Sequence, residues 1–385
     1  MNMRLIRGSS LRGSTFVWVL IACGTLAIRT ALSPAIIEQV YSNTLYLGVR
    51  RLLDGLFGWW PVPASLCVIV VAVAAILRSA WFAWRTTPKS SHSSHSTIRR
   101  TGRVALVFLR SGAMIVTAFM LLWGFNYARP GLADHLQLST PTLTTDELWQ
   151  QLHETADYVA ILRRQLPLSD TSDYSSLPLP QNSELRIRES LQAQLVELGL
   201  PAVGRVRTRF VTPGTLLRFK TSGVYFPLTG EAHVDRGLHS LQMPFVMAHE
   251  MAHGYGITDE GACNFLAWLA CTRAHNLYLR YAGHLTYLRY IGSAVRRRDP
   301  ENYASFRENL PVGVRADLNS INENLDRFKE IMPEVRDVVY DNYLRSQGVH
   351  DGMASYSRII GLVAAWQREQ QVPPAVPTSW RQAPQ

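Results

Sequence analysis

Cysteine is scarce in this chain of 385 residues, and the four cysteines form no CxxC pair. Cys263 and Cys271 stand eight positions apart on a predicted helix, which is too far for a disulfide between them. The sequence therefore predicts neither a disulfide framework nor a cysteine-based zinc finger. Acidic residues are also missing from the long apolar runs, which argues against a transporter, and the chain has no internal repeat.

Hydrophobic residues make up 47% of the chain, and they are concentrated in its first third. Three apolar segments lie at about 15–32, 62–84 and 104–125, and the last two are long enough to cross a bilayer. The first has a basic start and is compatible with a signal peptide, but no small-residue cleavage site follows it, which favours an uncleaved span. The sequence therefore predicts a membrane region with three transmembrane helices over residues 1–129.

The formal net charge is +10, and much of the excess lies beside the apolar segments. The first segment is preceded by three basic residues, Arg4, Arg7 and Arg12. The second and third segments are separated by five basic residues and no acidic ones: Arg85, Lys89, Arg99, Arg100 and Arg103. Such loops set membrane topology more often than they bind phosphates, so no nucleic-acid partner is expected. The positive-inside rule predicts that the loop 85–103 is cytoplasmic and that everything after Phe125 lies outside.

Residues 130–371 have the pattern of a globular domain, and a Pro-rich tail that we expect to be disordered follows at 372–385. Apolar residues recur at helical spacing over 144–166, 183–198, 318–328 and 335–345. Short strands are predicted at 205–210, 216–220, 224–228 and 232–235, between Gly and Pro residues. The expected fold class is α+β, mostly helical, with a small β-sheet in a zincin-like metallopeptidase domain.

The chemistry is concentrated in the sequence His249-Glu250-Met251-Ala252-His253. Pro244 suits the first turn of a helix, on which the two histidines would then share one face. Two imidazoles on one face can hold two positions of a tetrahedral zinc ion. Glu250 would act as the general base that takes a proton from the attacking water.

A third ligand is expected just beyond this helix. Gly254 and Gly256 can end the helix and turn the chain, so that Glu260, at the start of a second apolar helix over 261–279, returns to the first. Asp259 is the competing third ligand. Asn264 lies one turn beyond Glu260 on the same face, where it either hydrogen-bonds a ligating imidazole or is a buried amide satisfied by backbone.

An oxyanion-stabilising group is less well defined by the sequence. Tyr356, His350 and Tyr225 are candidates, because a tyrosine or histidine commonly has this role, and each is also compatible with packing or a surface position. The predicted strands before the motif are compatible with an edge strand that binds an extended peptide, or with a plain hairpin that packs on the helix.

Further phrases extend over nearly the whole chain: SPAIIEQVYS (33–42), NYARPGL (126–132), TGEAHVD (229–235), HEMAHGYG with the following Glu and Asn, and YDNYLRSQGVHDGMASY (340–356). Together they resemble a bacterial family of membrane proteins, domain-of-unknown-function family 3810, which is related by motif to gluzincin-type zinc peptidases. The resemblance implies a zinc site at His249, His253 and Glu260 with Glu250 as base. The chain departs from the family pattern just before Asn264. The family has an acidic residue and an alanine there, whereas this chain has Ala262 and Cys263.

These observations predict a zinc metallopeptidase, anchored in the bacterial plasma (inner) membrane, that cleaves a peptide or protein substrate in the cell envelope. The expected cofactor is Zn2+, and the expected partners are that substrate and the lipid bilayer. The alternative is a catalytically silent zinc-binding membrane sensor or scaffold. An intramembrane protease is disfavoured, because the motif lies more than a hundred residues after the last span.

Overall fold

The structure is a computed structural model that describes residues 3–87, 93–167, 178–331 and 358–370. It is mostly helical, with one small three-stranded sheet, as the sequence predicts. By its internal contacts the chain divides into two units, one of residues 1–129 with 226–230, and one of residues 130–225 with 231–385. The predicted helix 335–345 and the predicted tail 372–385 lie outside the described residues.

The first unit is helical. Its elements are α1 (Met3–Ala31), α2 (Pro34–Ile36), a π-helix (Ile37–Leu45), α3 (Tyr46–Phe57), α4 (Ala64–Thr86), α5 (Ser93–Leu122) and a 3-10 helix (Gly124–Ala128). Three segments are long and apolar enough to cross a membrane: Leu11–Ala31, Ala64–Thr86 and Thr97–Leu122. The three apolar helices near the N-terminus are thus confirmed. Because α5 begins at Ser93, much of the predicted basic loop 85–103 is helical instead.

Within this unit, α5 packs against both α1 and α4. The side chains of Val70 and Val71 on α4 are 66% and 67% exposed, as suits apolar side chains that face lipid. The π-helix is fixed to the end of α5 by polar contacts, since the Tyr41 hydroxyl donates to the Leu121 carbonyl at 2.8 Å. An ion pair of 2.9 Å between Arg129 and Glu38 adds to this attachment.

The second unit contains the sheet and the remaining helices. Its elements are α6 (Leu132–His135), α7 (Thr145–Gln165), α8 (Ser183–Glu197), β1 (Arg207–Val211), a 3-10 turn (Leu217–Phe219), β2 (Gly223–Phe226), β3 (Glu231–Asp235), α9 (Met243–Gly254), α10 (Glu260–Thr272), α11 (Leu277–Arg298), α12 (Pro300–Glu308), α13 (Val312–Asp326) and α14 (Ile359–Glu369).

The sheet has the order β1-β3-β2, with β1 and β3 parallel from the pair Arg207–Glu231 to the pair Val211–Asp235. The predicted strand at 216–220 is wrong, because this segment forms the 3-10 turn. The buried Asp235 carboxylate accepts hydrogen bonds from the backbone N–H groups of Gly214, Leu216 and Leu217 at 2.7–3.1 Å. These bonds wrap the segment around one side chain, which a local apolar pattern does not reveal.

Helix α10 lies in the core of this unit, since every residue from Glu260 to Cys271 is buried. It packs against α8, α9, α11 and α14, and α9 packs in turn on β3. The predicted helix 261–279 is too long, because α10 ends at Thr272 and Asn276 caps the start of α11 by accepting the Leu279 N–H. Helix α10 is apolar on nearly all sides, as is typical of a buried helix. Its buried polar residues Glu260 and Asn264 therefore need partners in the interior.

A buried ion pair joins α7 to α13, and a tyrosine on α11 contacts it. Arg163 on α7 donates to the Asp317 carboxylate on α13 at 2.8 Å, and the Tyr281 hydroxyl on α11 donates to the same oxygen at 2.5 Å. The side chains of Arg163 and Asp317 are 2% and 0% exposed. These two donors replace hydrogen bonds to water that the carboxylate lost when folding buried it.

Candidate metal centre

Helix α9 presents both histidines of the motif on one buried face. Pro244 lies in its first turn, as predicted, and His249 and His253 follow four residues apart. Their ring centroids are 4.9 Å apart with planes at 82°. The rings are therefore close enough to act on one ligand, since i and i+4 side chains lie one above the other on a helix.

The chain reverses sharply after α9. Gly256 has a φ of 89°, and its N–H bonds the His253 carbonyl at 3.0 Å, while the Ile257 N–H bonds the Ala252 carbonyl at 3.2 Å. This pair of bonds is the Schellman motif that ends helices at a glycine. A residue with a side chain is strained at that φ, so Gly256 makes the turn that returns Glu260 to the histidines.

The Glu260 carboxylate lies against both imidazoles. Its Oε2 atom is 3.0 Å from His249 Nε2 and 3.5 Å from His253 Nε2, and one ligand atom from each of the three residues lies within 4.8 Å of the others. Ligand atoms about 2.1 Å from a tetrahedral zinc ion are separated by about 3.4 Å, which is close to the two distances from Glu260 to the imidazoles. Two imidazoles and one carboxylate are also a donor set that zinc takes, so the three residues fit this metal.

The outer nitrogen of each imidazole contacts an oxygen. His249 Nδ1 donates to Asn264 Oδ1 at 2.8 Å, and His253 Nδ1 donates to the Ile257 carbonyl at 2.8 Å. These bonds place a proton on Nδ1 of each ring, so Nε2 is the nitrogen that faces Glu260 and that a metal would bind. Asn264 thus contacts a ring of the motif, and the turn at Gly256 supplies the acceptor for the other ring.

The charge of Glu260 is stabilised inside the protein. Burial raises the pKa of this carboxyl, but the imidazoles of His253 and His249 outweigh that effect and bring the pKa well below its ordinary value. The third member of the cluster is therefore an anion, which is the form in which a carboxylate binds a metal.

Glu250 is buried between α9 and β2. A Cβ atom on Gly223 would lie 2.7 Å from Glu250 Cγ and 2.8 Å from Oε1, so only glycine lets the strand approach this closely. The backbone N–H of Tyr225 donates to the Glu250 carboxylate, although burial dominates and raises its pKa above the ordinary value. Because the strand order places β2 at an edge, the carboxylate lies beside a sheet edge.

Asp259, the competing third ligand, is used elsewhere. Its Oδ1 atom accepts the Ala262 N–H at 2.7 Å and so caps α10, and its Oδ2 atom pairs with Arg358 at 2.9 Å. Asp259 is not in the cluster of ligand atoms that His249, His253 and Glu260 form.

Of the three residues predicted as candidates to stabilise an oxyanion, the structure describes only Tyr225. Tyr356 and His350 lie outside the described residues. Tyr225 is buried on β2, where its ring lies against Gly254 of α9 and its backbone contacts Glu250. Among the described residues, the other histidines of the domain take no part in the cluster; for example, His239 bonds the Ser320 hydroxyl at 2.9 Å.

Two contacts of the cluster were missed by sequence reasoning. Tyr290 on α11 hydrogen-bonds Asn264, and burial raises the pKa of its phenol to about 12, so it is a neutral hydroxyl. The Cys263 thiol lies 3.4 Å from His253 Nδ1. No local pattern identifies Tyr290, because only the crossing of α11 with α10 brings it to Asn264. Cys263 differs from the family pattern, but that difference does not predict its contact with His253.

The family described as "Protein of unknown function (DUF3810)" matches residues 41–364, which include parts of both units and the whole cluster. Comparison with curated proteins and with solved structures gave no match.

Proposed function

This chain belongs to the DUF3810 family, whose description names no activity, so we propose its function from the site: a membrane-anchored zinc metallopeptidase. The substrate would be a peptide or protein of the cell envelope. The bond broken would be a peptide bond, with Glu250 as general base.

The observation that carries this proposal is the geometry around the two imidazoles. His249 and His253 direct Nε2 at the Glu260 carboxylate, and each ring donates its Nδ1 proton to an oxygen, from Asn264 or Ile257. Such outer hydrogen bonds fix the tautomer that a metal needs and increase the basicity of the ligating nitrogen. The two imidazoles and the carboxylate are a donor set that zinc takes, which supports a resident zinc ion.

The roles of the chain's own residues follow from their positions. A bound Zn2+ supplies a Lewis acid and lowers the pKa of water toward neutrality. Glu250 takes one proton of the water whose oxygen adds to the substrate carbonyl carbon, and it passes that proton to the amine as the C–N bond breaks. The edge strand β2 lies beside Glu250, where an extended substrate would be placed next to the general base.

The alternative is a zinc-binding sensor or scaffold without turnover. It is favoured by one observation, the burial of His249, His253, Glu260 and Glu250 together. A purely structural zinc site does not need Glu250 next to its ligands, and structural sites usually have a fourth protein ligand, which favours the peptidase.

The test uses the full chain, purified from membranes. We expect one zinc per chain by elemental analysis and cleavage of members of a broad peptide library. Glu250→Gln should retain the zinc and lower cleavage by at least about a hundredfold, since a general base contributes that much or more. The matched control is Glu189→Gln, an exposed carboxylate on α8, which should cleave normally.

The outcomes separate the two functions. Cleavage that survives Glu250→Gln would overturn the base assignment. Stoichiometric zinc with no cleavage across the library would favour the sensor or scaffold. In cells, peptides released in the presence of the wild-type chain and not of Glu250→Gln would identify the substrate.

We also propose that the domain lies outside the bacterial plasma membrane, by the positive-inside rule. Arg85 and Arg100 lie over the rings of Trp81 and Trp84, at 4.4 and 5.6 Å. Arginine and tryptophan side chains gather at membrane interfaces, which supports an interface at this end of α4 and α5. Reporter fusions at residues 92 and 371 should give cytoplasmic and external signals respectively.

A further inference from the structure

The segment between α1 and α4 exposes a row of large apolar side chains. Each member of this row is 45–74% exposed, and together they are called the apolar stripe: Ile36, Val40, Leu45, Leu52, Leu56 and Trp59. Single exposed apolar residues are common on protein surfaces, but a contiguous apolar surface marks a site that contacts a protein or a membrane. The stripe lies apart from the metal centre, in the first unit of the chain.

The helix geometry brings the members of the stripe to one side of the segment. A π-helix bonds residue i to residue i+5, so one turn takes more residues than in an α-helix. Spacings of four and five between Ile36, Val40 and Leu45 therefore keep one direction along the π-helix. The remaining members follow Leu45 at spacings of seven, four and three, which are the spacings of one face of an α-helix.

A different face of α3 is packed inside the first unit. Arg50 is 1% exposed, and its guanidinium donates to the Gly230 carbonyl at 2.9 Å and pairs with Asp54 at 2.6 Å. Tyr46 and Leu53 are buried on the same side of this helix. The helix is therefore held against protein by one face, and the stripe is an apolar face that this packing leaves open.

Polar and aromatic contacts fix the segment at one end of a candidate membrane span. The Tyr41 hydroxyl of the π-helix donates to the carbonyl of Leu121, in the last turn of α5, at 2.8 Å. Trp123 and Tyr127 follow directly after α5, with ring centroids 5.1 Å apart in an edge-to-face arrangement. Tryptophan and tyrosine gather where a membrane meets water, so the segment lies at the level where the proposed membrane surface would be.

From these features we propose that the apolar stripe lies in the interface of the lipid bilayer, with its side chains at the boundary between headgroups and acyl chains. An amphipathic helix buries its apolar face about 5–10 Å into that boundary. Lipid is favoured over a second copy of the chain by continuity, because α1 ends at Ala31, five residues before Ile36, and α4 begins at Ala64, five residues after Trp59. The inference rests on the proposed membrane anchoring, but it needs neither zinc nor turnover.

The experiment uses the full chain in nanodiscs of phosphatidylethanolamine and phosphatidylglycerol, with one spin label on one introduced cysteine. Cys23→Ala and Cys67→Ala remove the two exposed cysteines, whereas Cys263 and Cys271 are buried and are kept. This background should take up no label before a further cysteine is introduced. Electron paramagnetic resonance then measures how often the label collides with molecular oxygen, which dissolves in lipid, and with a nickel chelate, which stays in water.

Two labels report on the stripe, at Leu52→Cys and Leu56→Cys. Arg51→Cys is the matched control, because it is an exposed neighbour on α3 that lies about 100° around the helix from Leu52. Val73→Cys, exposed near the middle of α4, is the reference for a label in lipid. We expect more collisions with oxygen than with the chelate at the stripe and at Val73, the reverse at Arg51, and a shallower depth for the stripe than for Val73.

The outcomes separate this inference from the membrane anchoring. If the two stripe labels meet the chelate as often as the Arg51 label while the Val73 label is in lipid, the anchoring stands and the inference is overturned. Stripe labels that are shielded from both reagents would show protein on the stripe, such as a second copy, and would also overturn it. Free access of the chelate to the Val73 label would overturn the anchoring itself, and this inference with it.

Discussion

Asn264 Oδ1 lies 2.8 Å from His249 Nδ1, on the side of the imidazole opposite to the Nε2 atom that contacts Glu260 at 3.0 Å. Residues 260 and 264 are one turn apart on α10, so one helix holds one ring at both nitrogens. This arrangement orients His249 before any metal arrives, and it makes Asn264 the natural place to weaken the site without removing a ligand.

We predict that Asn264→Ala lowers zinc affinity by about tenfold to a hundredfold while the three ligands remain. The imidazole loses the acceptor that fixes its tautomer, so the metal must also orient the ring. Competition with a chromogenic chelator measures the change. Asn322→Ala, on the exposed side of α13, is the matched control and should bind zinc as the wild type. Unchanged affinity in Asn264→Ala would show that the hydrogen bond does not support a metal site.

A pair of neighbouring substitutions tests the third ligand. Glu260→Gln removes the carboxylate that contacts both imidazoles, and should abolish stoichiometric zinc binding. Asp259→Asn leaves the cluster intact and weakens the pairing with Arg358, so zinc should remain at one per chain. Elemental analysis after dialysis measures both variants. Retention of zinc in the first variant and loss in the second would reverse the assignment.

Gly223→Ala should displace Glu250 without touching a metal ligand. The new Cβ would lie 2.7 Å from Glu250 Cγ and 2.8 Å from the His233 carbonyl oxygen, and the backbone atom cannot move aside cheaply. We expect cleavage to fall by at least about tenfold, zinc content to be unchanged, and stability to fall by about 1–3 kcal/mol, as in overpacked cores. Peptide cleavage, elemental analysis and thermal melting measure the three effects.

The control for that prediction is Gly361→Ala on α14, where a Cβ would meet only ordinary contacts, the nearest at 3.5 Å from the Pro141 carbonyl. Alanine is favoured over glycine in a helix, so stability should be equal or higher by up to about 1 kcal/mol. If both variants cleave at the wild-type rate, the close approach of β2 to Glu250 has no functional role.

Asp317→Asn should strongly destabilise the second unit. It removes the charge that Arg163 pairs with at 2.8 Å while the guanidinium stays buried, and breaking a buried pair in this way costs about 3–5 kcal/mol. Denaturant unfolding followed by tryptophan fluorescence measures the loss. The double variant Arg163→Met with Asp317→Leu should recover much of it, because neither charge then remains in the interior. A double variant no more stable than the single one would argue that the pair also fixes the packing of α7 against α13.

Local pattern predicted a large part of this molecule. Apolar length alone located the three candidate membrane helices, and the spacing of His249 and His253 placed them on one helix face. Gly256 marked the turn, because only glycine readily takes its φ, and that turn brings Glu260 to the histidines. These predictions depend on periodicity and on backbone sterics, which act over a few residues.

Other features depended on contacts between distant segments. The strand predicted at 216–220 became a turn because Asp235 accepts its backbone N–H groups, and the choice between Asp259 and Glu260 depended on Arg358 and on the cap of α10. The contact of Tyr290 with Asn264 arises only where α11 packs against α10.

The sequence by itself therefore determined the three candidate membrane helices, the histidine pair and the turn toward Glu260, because each depends on a short segment of the chain. Only the tertiary structure decided which oxygen each imidazole contacts and how closely β2 approaches Glu250. Those outcomes depend on which side chains packing buries together, since a polar group removed from water must find its partner wherever the fold has placed one.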